Sequence, residues 1–485
     1  MTLKFYNTLT SQIDNFVSIE PNKAKIYSCG PTVYSYPHIG NWAAYIYWDT
    51  LVRILKLNNY NVTRVMNITD VGHLTSDADN GEDKLQVGAR REGKTAWEIA
   101  KFYTDYFLNG INRLNITMPD YITKATDYIV QQQGLIRTLK IKGYTYQTSD
   151  GIYFDTSKFP AYADFANLNI NEQKAGARVE FNPEKRNPSD FAVWKFSPTN
   201  EKRDMEWPTP VDLLAEPTDK TIMGFPGWHI ECSAMAMSIL GNTIDIHTGG
   251  IDAIPVHHTN EIAQSESATG VRFSNYWLHN NFMMVNGTKI SKSLGNIFTL
   301  EDIEDKGYSL LDFRMLVLQG SYRNEGNFTF KALDSAKHRL HNWRNIAALR
   351  HQIHGTINDA DSHEIVPSYA ASEAIIEAID EDLGTPAALK IIDDIFSKII
   401  STPLTEISYQ SLNQLLETID SALGIKLVES TPDISDEAKQ IIIERRNARE
   451  QKDWVKSDKL RAVLLEQNII MRDTSHDSVW EYQTK

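Results

Sequence analysis

Thirteen residues, Cys29 to Asn41 (Cys-Gly-Pro-Thr-Val-Tyr-Ser-Tyr-Pro-His-Ile-Gly-Asn), limit what this chain can fold into more than any other stretch. The apolar run Ala24 to Ser28 before them reads as a buried strand. After them, Tyr47, Leu51, Ile54 and Leu55 recur at helical spacing within Trp42 to Asn58. A strand, a Gly/Pro turn and a helix in that order open a nucleotide-binding α/β sheet. The backbone N–H groups of the first helical turn have no intrahelical partner and suit phosphate, and a glycine there lets a ligand approach closely. About 250 residues later, Lys289-Ile290-Ser291-Lys292-Ser293 supplies the cations such a site needs.

The βα rhythm continues to about residue 110, with a second strand expected over Tyr60 to Asp70. Gly72 to Gly93 is polar, and its cluster Asp77, Asp79, Glu82 and Asp83 lacks the ligand spacing of a calcium loop, so it reads as surface. From Ile111 to about Asn200 the rhythm breaks, with a hairpin expected around Asp150-Gly151, as in an insertion. It resumes with a helix opening at Gly227-Trp228-His229-Ile230-Glu231-Cys232, a strand over Thr243 to His247, a helix from about His257 and a strand over Tyr276 to Val285. Asn286-Gly287 then makes a turn that presents Lys289 to Ser293. Beyond Leu300 the pattern is wholly helical. At 485 residues the chain has room for two to four domains. It shows no signal-peptide pattern and no run long enough to span a bilayer, so a cytoplasmic protein is expected. A net charge of −14 argues against a non-specific nucleic-acid binder, though Arg445 to Arg461 concentrates positive charge locally.

Only two cysteines occur, Cys29 and Cys232. A lone disulfide is out of place in a reducing compartment, which leaves two buried thiols or two metal ligands. With His257 and Glu261, four apart on one helix face, they make an acceptable tetrahedral zinc set. Spacing alone leaves open small core cysteines, and His258 as a rival ligand. A second constellation joins His38 to Lys289 and Lys292. Nucleotidyl transfer from ATP builds negative charge on the α-phosphate and the departing pyrophosphate, and donors and cations aimed at those oxygens are what it requires.

Taken together, these stretches resemble the class I cysteinyl-tRNA synthetase family. The resemblance is carried by Cys29 to Tyr34, Gly227 to Ser233 and His257 to Gln264, with His38 to Asn41 and Lys289 to Ser293 as signatures of the wider class I group, and it runs to the last helix. It implies one Zn2+ per chain on Cys29, Cys232, His257 and Glu261, selecting His257 over His258. It implies a pocket for L-cysteine lined by Gly30, Thr32, Thr69 and Trp228, with the substrate thiolate on the zinc. ATP, with Mg2+, would meet His38, Gly40, Asn41, Gly249, Gly250, Asp252, Lys289 and Lys292, of which His38, Asn41, Lys289 and Lys292 would act in catalysis. Arg445, Arg449 and Trp454 would contact tRNA(Cys). The implied fold is α/β: a Rossmann-like class I synthetase catalytic domain (1–110 and 201–300) with an inserted connective subdomain (111–200), followed by all-α tRNA-binding domains. Those comprise a stem-contact region and helical bundle (301–425) and an anticodon-recognition domain (426–485). The implied protein is a monomeric cytoplasmic cysteine–tRNA ligase.

Five places depart from the family pattern: Asn41 for histidine, Ile290 for methionine, Val71-Gly72-His73-Leu74 where aspartates are common, Thr248 for a third glycine, and Ile254-Pro255-Val256 in place of the more common lead-in to the ligand histidine. Two rivals remain at this stage. One is a relative that joins activated cysteine to an amino-sugar, against which the roughly 180 residues after Leu300 argue. The other is a zinc-stabilised RNA-binding protein without catalysis.

Overall fold

The computed structural model describes residues 2–72, 84–166, 183–198, 203–291, 294–352, 368–473 and 478–483. His73, the acidic cluster 77–83, Lys292 and Ser293 lie outside the described residues. At the centre is a parallel sheet of five strands, β1 (Lys23–Ser28), β2 (Asn61–Ile68), β3 (Tyr121–Lys124), β4 (Ile244–Gly250) and β5 (Ser274–Asn280). Their spatial order is 5-4-1-2-3, with every adjacent pair parallel. The order reverses between β1 and β4, so the connections leaving these two strands part in opposite directions. A crevice opens beyond their C-terminal ends, which is where open α/β sheets hold ligands.

Helix α1 (Ile39–Leu57) follows β1 and buries Trp42, Ile46, Leu51, Ile54 and Leu55. The Trp42 ring stacks on Phe107 of α2 (Ala96–Arg113), with centroids 5.3 Å apart. Helices α3 (Trp228–Leu240) and α4 (Thr259–Thr269) flank β4. Between β3 and α3 a second, antiparallel sheet contains the strands Thr145–Thr148, Gly151–Phe154, Phe191–Phe196, Met223–Pro226 and Trp207–Pro208. The expected hairpin around Asp150-Gly151 is its first pair.

Four expectations are corrected. The central sheet takes a strand from Tyr121–Lys124, beyond residue 110, because four half-polar residues at a sheet edge carry no periodicity to read. The inserted sheet runs on to Pro226, past residue 200. The single strand expected over Tyr276 to Val285 is two, β5 and Met283–Val285, in different sheets. Asn281 breaks it by turning its backbone N–H to the Tyr322 carbonyl (2.7 Å). Helices dominate beyond Leu300, but Gly326–Phe328 and the hairpin Ile469–Asp473/Ser478–Tyr482 are strands.

One buried ion cluster ties the nucleotide-binding half to the helical half. Asp49 of α1 pairs with Arg53 (2.6 Å) and with Arg314 of α5 (Leu310–Leu318), and accepts from Thr117 N–H (2.7 Å). Arg314 Nε also donates to the Leu423 carbonyl (2.7 Å) at the end of α6 (Tyr409–Leu423). Burial alone would raise the Asp49 carboxyl, but Arg314 and then Arg53 hold it well below its ordinary 3.8. Its contribution to stability is therefore present above about pH 4 and lost as the pH falls through that range toward the folded value. Arg314→Leu leaves a buried carboxylate short of a partner and is expected to cost about 3–5 kcal/mol in urea unfolding. In Asp49→Asn, stability should be lower at neutral pH and fall less steeply below about pH 4 than in the parent. Equal acid sensitivity in the two chains would refute the role given to Asp49.

Candidate active site and metal centre

The site begins at the C-terminal end of β1. Cys29 N–H donates to the Thr248 carbonyl of β4 (3.1 Å), so the chain leaves the sheet at the switch point. Gly30 then passes so close to β2 that a Cβ would stand 1.7 Å from the Asn67 carbonyl oxygen. Only glycine fits there. Thr32 bridges Thr69, with Thr69 N–H on the Pro31 carbonyl (3.0 Å) and Val33 N–H on the Thr69 carbonyl (3.2 Å). Gly30, Thr32 and Thr69 thus come together beside Cys29. Trp228 opens α3, one turn before Cys232, and its ring lies 4.9 Å from that of His257.

His257 and His258 sit in one turn of π-helix, Ile254–His258, which carries both rings inward ahead of α4. Such turns widen a helix locally and recur at functional sites. The ligand atoms of Cys29, Cys232, His257 and Glu261 all lie within 4.8 Å of one another, and both cysteines are free thiols. Cys29, His247, His258 and Glu261 satisfy the same limit, so His258 stays a rival by distance. The closer contacts do not separate the two sets: His247 Nε2 and His257 Nε2 lie 2.9 and 3.1 Å from the two Glu261 carboxylate oxygens, and His258 Nε2 lies 3.3 Å from Cys29 Sγ. A buried carboxylate facing thiols and imidazoles in this way fits a divalent soft-to-borderline cation.

The electrostatics set the two histidines apart: burial lowers His257, but Cys232 and then Glu261 outweigh it and raise it well above the usual histidine range. Burial would raise the Glu261 carboxyl, but His247 and His257 outweigh it and hold it at about 2. Burial, then the imidazoles of His247 and His279, keep His258 well below the usual histidine range, so it is neutral. Its Nδ1 meets His279 Nε2 (2.7 Å), and His279 in turn meets Thr8 Oγ1 (2.7 Å). His229 Nδ1 reaches His257 Nδ1 (2.9 Å). His247 and His229 thus contact Glu261 and His257 directly, as second partners do around a metal, and His279 braces His258. A sequence reading gives these three no role. The signal was there in His247 and His279, each a histidine placed in a strand.

On the opposite side of the crevice His38 is the N-cap of α1. Its Nδ1 accepts from Gly40 N–H (3.1 Å) and Asn41 N–H (3.3 Å), and Asn41 Oδ1 accepts from His38 N–H (3.0 Å). Burial lowers the imidazole pKa. With Nδ1 accepting, the neutral ring carries its proton on Nε2 and serves as a donor, not a cation. Asn41 thereby spends its oxygen on the cap. A Cβ on Gly40 would stand 3.2 Å from Ile290 Cδ1, so the helix start and the lysine loop touch. Lys289 is exposed, its Nζ 4.9 Å from the Phe282 ring centre. Asn286 and Gly287 have φ of 50° and 72°, as the expected hairpin turn demands. Gly249 and Gly250 end β4, and Asp252 is exposed just beyond them. Asn296, absent from the sequence reading, pins the loop: its Oδ1 accepts from Ser291 N–H (2.9 Å) and its Nδ2 donates to the Lys289 carbonyl (3.1 Å).

The expected tRNA contacts divide. Trp454 is 56% exposed with the Arg449 guanidinium 5.9 Å from its ring centre. Arg445 is corrected: only 2% exposed, it donates to Ser478 Oγ (2.9 Å) and lies 3.4 Å from Asp473. It ties its helix to the C-terminal hairpin and has no face left for RNA.

Residues 15–338 match the family described as tRNA synthetases class I (C) catalytic domain. The chain is 40% identical to the cysteine–tRNA ligase of Treponema denticola, over 99% of this chain and 100% of that protein. It is also 40% identical to cysteine–tRNA ligase 1 of Burkholderia lata, over 98% of this chain and 96% of that one. The chain belongs to the cysteine–tRNA ligase family of class I aminoacyl-tRNA synthetases. It is thus an ATP-dependent aminoacyl-tRNA ligase. A solved methionyl-tRNA synthetase of Mycobacterium tuberculosis, in complex with methionyl-adenylate, shares the fold at a TM-score of 0.57 and 16% identity, covering 84% of this chain and 91% of that one. Among the described residues, no helix is long and apolar enough to cross a membrane.

Asn296 holds the backbone of the segment that carries Lys289 at both ends, to the Lys289 carbonyl and the Ser291 N–H. Asn296→Ala removes two hydrogen bonds, each worth about 1 kcal/mol net, and should raise the KM for ATP by about tenfold in pyrophosphate exchange while leaving that for the amino acid unchanged. An unaltered ATP KM and kcat would show that the loop needs no such anchor.

Proposed function

We propose that this chain activates L-cysteine with ATP, releasing pyrophosphate, and transfers the cysteinyl group to the 3′ end of tRNA(Cys) as a cytoplasmic monomer. The observation that carries the reading is the convergence of Cys29, Cys232, His257 and Glu261 at the switch point, next to the pocket walls Gly30, Thr32, Thr69 and Trp228. One Zn2+ on the four inner ligands would act as a Lewis acid that lowers a thiol's pKa and prefers thiolate to hydroxyl.

This chain's own residues supply the rest. Gly30, Thr32, Thr69 and Trp228 orient the amino acid so that its carboxylate reaches the ATP α-phosphate. His38 Nε2–H and the N–H groups at the start of α1 donate to the phosphate oxygens, with Asn41 holding the cap that aims the ring. Lys289 and Lys292 neutralise the charge that gathers on pyrophosphate as it leaves, with Mg2+ on the phosphates. Gly249, Gly250 and Asp252 support the adenosine from beneath. Arg449 and Trp454, in the region 426–485, take the anticodon end of the tRNA.

Labelled cysteine should appear on tRNA with ATP and be released in mild base, as an ester is. Cysteine-dependent pyrophosphate exchange without labelled tRNA would point instead to a small-molecule ligase. Cys232→Ser should lower bound zinc from one per chain to well under half by elemental analysis, with a parallel loss of exchange. Full zinc content in that variant would move the metal to the His247/His258 set.

A further inference from the structure

We propose that Asn67 is the positioning residue that turns the Thr69 hydroxyl into a hydrogen-bond donor for the α-carboxylate of the amino-acid substrate. This rests on the cysteine-ligation reading above. Asn67 is on β2 and 2% exposed. Its Oδ1 accepts from Gly30 N–H (2.8 Å) and its Nδ2 donates to Thr69 Oγ1 (3.1 Å). The amide orientation follows from chemistry. A backbone N–H can only donate, so the atom facing Gly30 is the oxygen and the NH2 group faces Thr69.

That assignment fixes what Thr69 can do. Its hydroxyl oxygen already accepts a proton, and an NH2 group offers no lone pair in return, so the hydroxyl hydrogen must point elsewhere. Among the described residues it meets no protein acceptor. The Thr69 backbone is clamped on both sides, to Pro31 and Val33, so only the hydroxyl rotor is left to set. Accepting from Asn67 also polarises the O–H and makes it a better donor. Of the three polar groups on cysteine, the ammonium is a donor and the thiol has the Cys29/Cys232 side of the site. The carboxylate is acceptor-only and is the match. Asn67 touches no substrate in this arrangement. It acts through Gly30 and Thr69, holding two walls of the pocket with one side chain.

The test is pyrophosphate exchange with the full chain carrying Asn67→Asp or Asn67→Ser. Asn67→Asp keeps an acceptor for Gly30 but puts a second acceptor against Thr69, which captures the hydroxyl hydrogen. Asn67→Ser, uncharged, withdraws the amide. The KM for cysteine should rise about tenfold in both, the value of one good hydrogen bond, with the KM for ATP within about twofold and bound zinc unchanged. Inhibition by cysteamine, which has the thiol and the amine but no carboxylate, should be as strong as in the parent. In a Thr69→Val background, either Asn67 substitution should add less than about twofold. The proposal is overturned if cysteine KM does not move, if cysteamine weakens as much as cysteine, or if the Asn67 effect persists in full without the Thr69 hydroxyl. Absence of cysteine-dependent exchange in the parent overturns the cysteine reading itself. Normal exchange in the parent with unchanged variants removes only the role of Asn67.

Discussion

Pairing of β1 on both edges is the constraint on which the rest of the molecule depends. The strand is only Lys23–Ser28, yet it hydrogen-bonds β2 on one side and β4 on the other. Because β2 follows it through α1 and β4 arrives only after the inserted sheet, the end of β1 is where the two halves of the catalytic fold part. Cys29, Gly30 and the cap of α1 are therefore delivered to one crevice by a single turn. Thr69 arrives by the register of β2, and Gly249 and Gly250 by that of β4. Slipping either pairing by one residue would turn every side chain to the other face and dismantle both halves of the site together.

The floor of that crevice shows how the fold handles the cost of burying charge. A carboxylate, the Cys232 thiol and several imidazoles are buried there beside the partly buried Cys29, a combination that would be expensive if all were ionised. Neutral histidines reduce the cost. His258 and His279 are kept uncharged by burial and then by the imidazole of His247, with His279 held at about 3. The thiols of Cys29 and Cys232 are pushed up, so the ionised acid of the cluster is Glu261. The Asp49–Arg53–Arg314 cluster uses the opposite arrangement, a carboxylate between two guanidiniums that also bond carbonyls at helix C-terminal ends. The first leaves room for an added cation, and the second is complete as it stands.

Much of this was legible in the sequence, and the exceptions have physical reasons. The strand–turn–helix around Cys29 to Asn41 and the helix opening at Trp228 were readable because turn chemistry and periodicity are local. The four inner ligands and the pocket walls are read through family resemblance, since spacing alone could not choose between His257 and His258. Tyr121–Lys124 was not legible, because four residues at an edge carry no pattern. Nor were the roles of His229, His247 and His279: a histidine in a strand singles out the last two, but what they do comes from three separate elements meeting. Arg445 was misread because charge along a helix does not reveal which arginine folds against a later hairpin. Asn67 and Asn296 escaped for a related reason: a buried amide and a loop amide look alike in sequence, and only their partners distinguish them.

On the reading proposed above, the two ends of the active site are built to different tolerances, and the chemistry of that reading accounts for it. Serine differs from cysteine by one atom, and shape alone separates such near-isosteres by only about 1–3 kcal/mol. On that reading discrimination depends on well-placed ligand atoms, which the bracing histidines hold, and on pocket walls held by Asn67 through Gly30 and Thr69. The triphosphate end has a different task. Pyrophosphate must leave after each activation, and a lysine locked in place would hold it. Lys289 is accordingly exposed on a hairpin whose shape rests on Asn296 and on the contact of Ile290 with the start of α1. A loop restrained at two points can close over ATP and reopen at little cost. Specificity calls for rigidity and turnover calls for release, and the switch point lets one fold supply both within a few residues of Cys29.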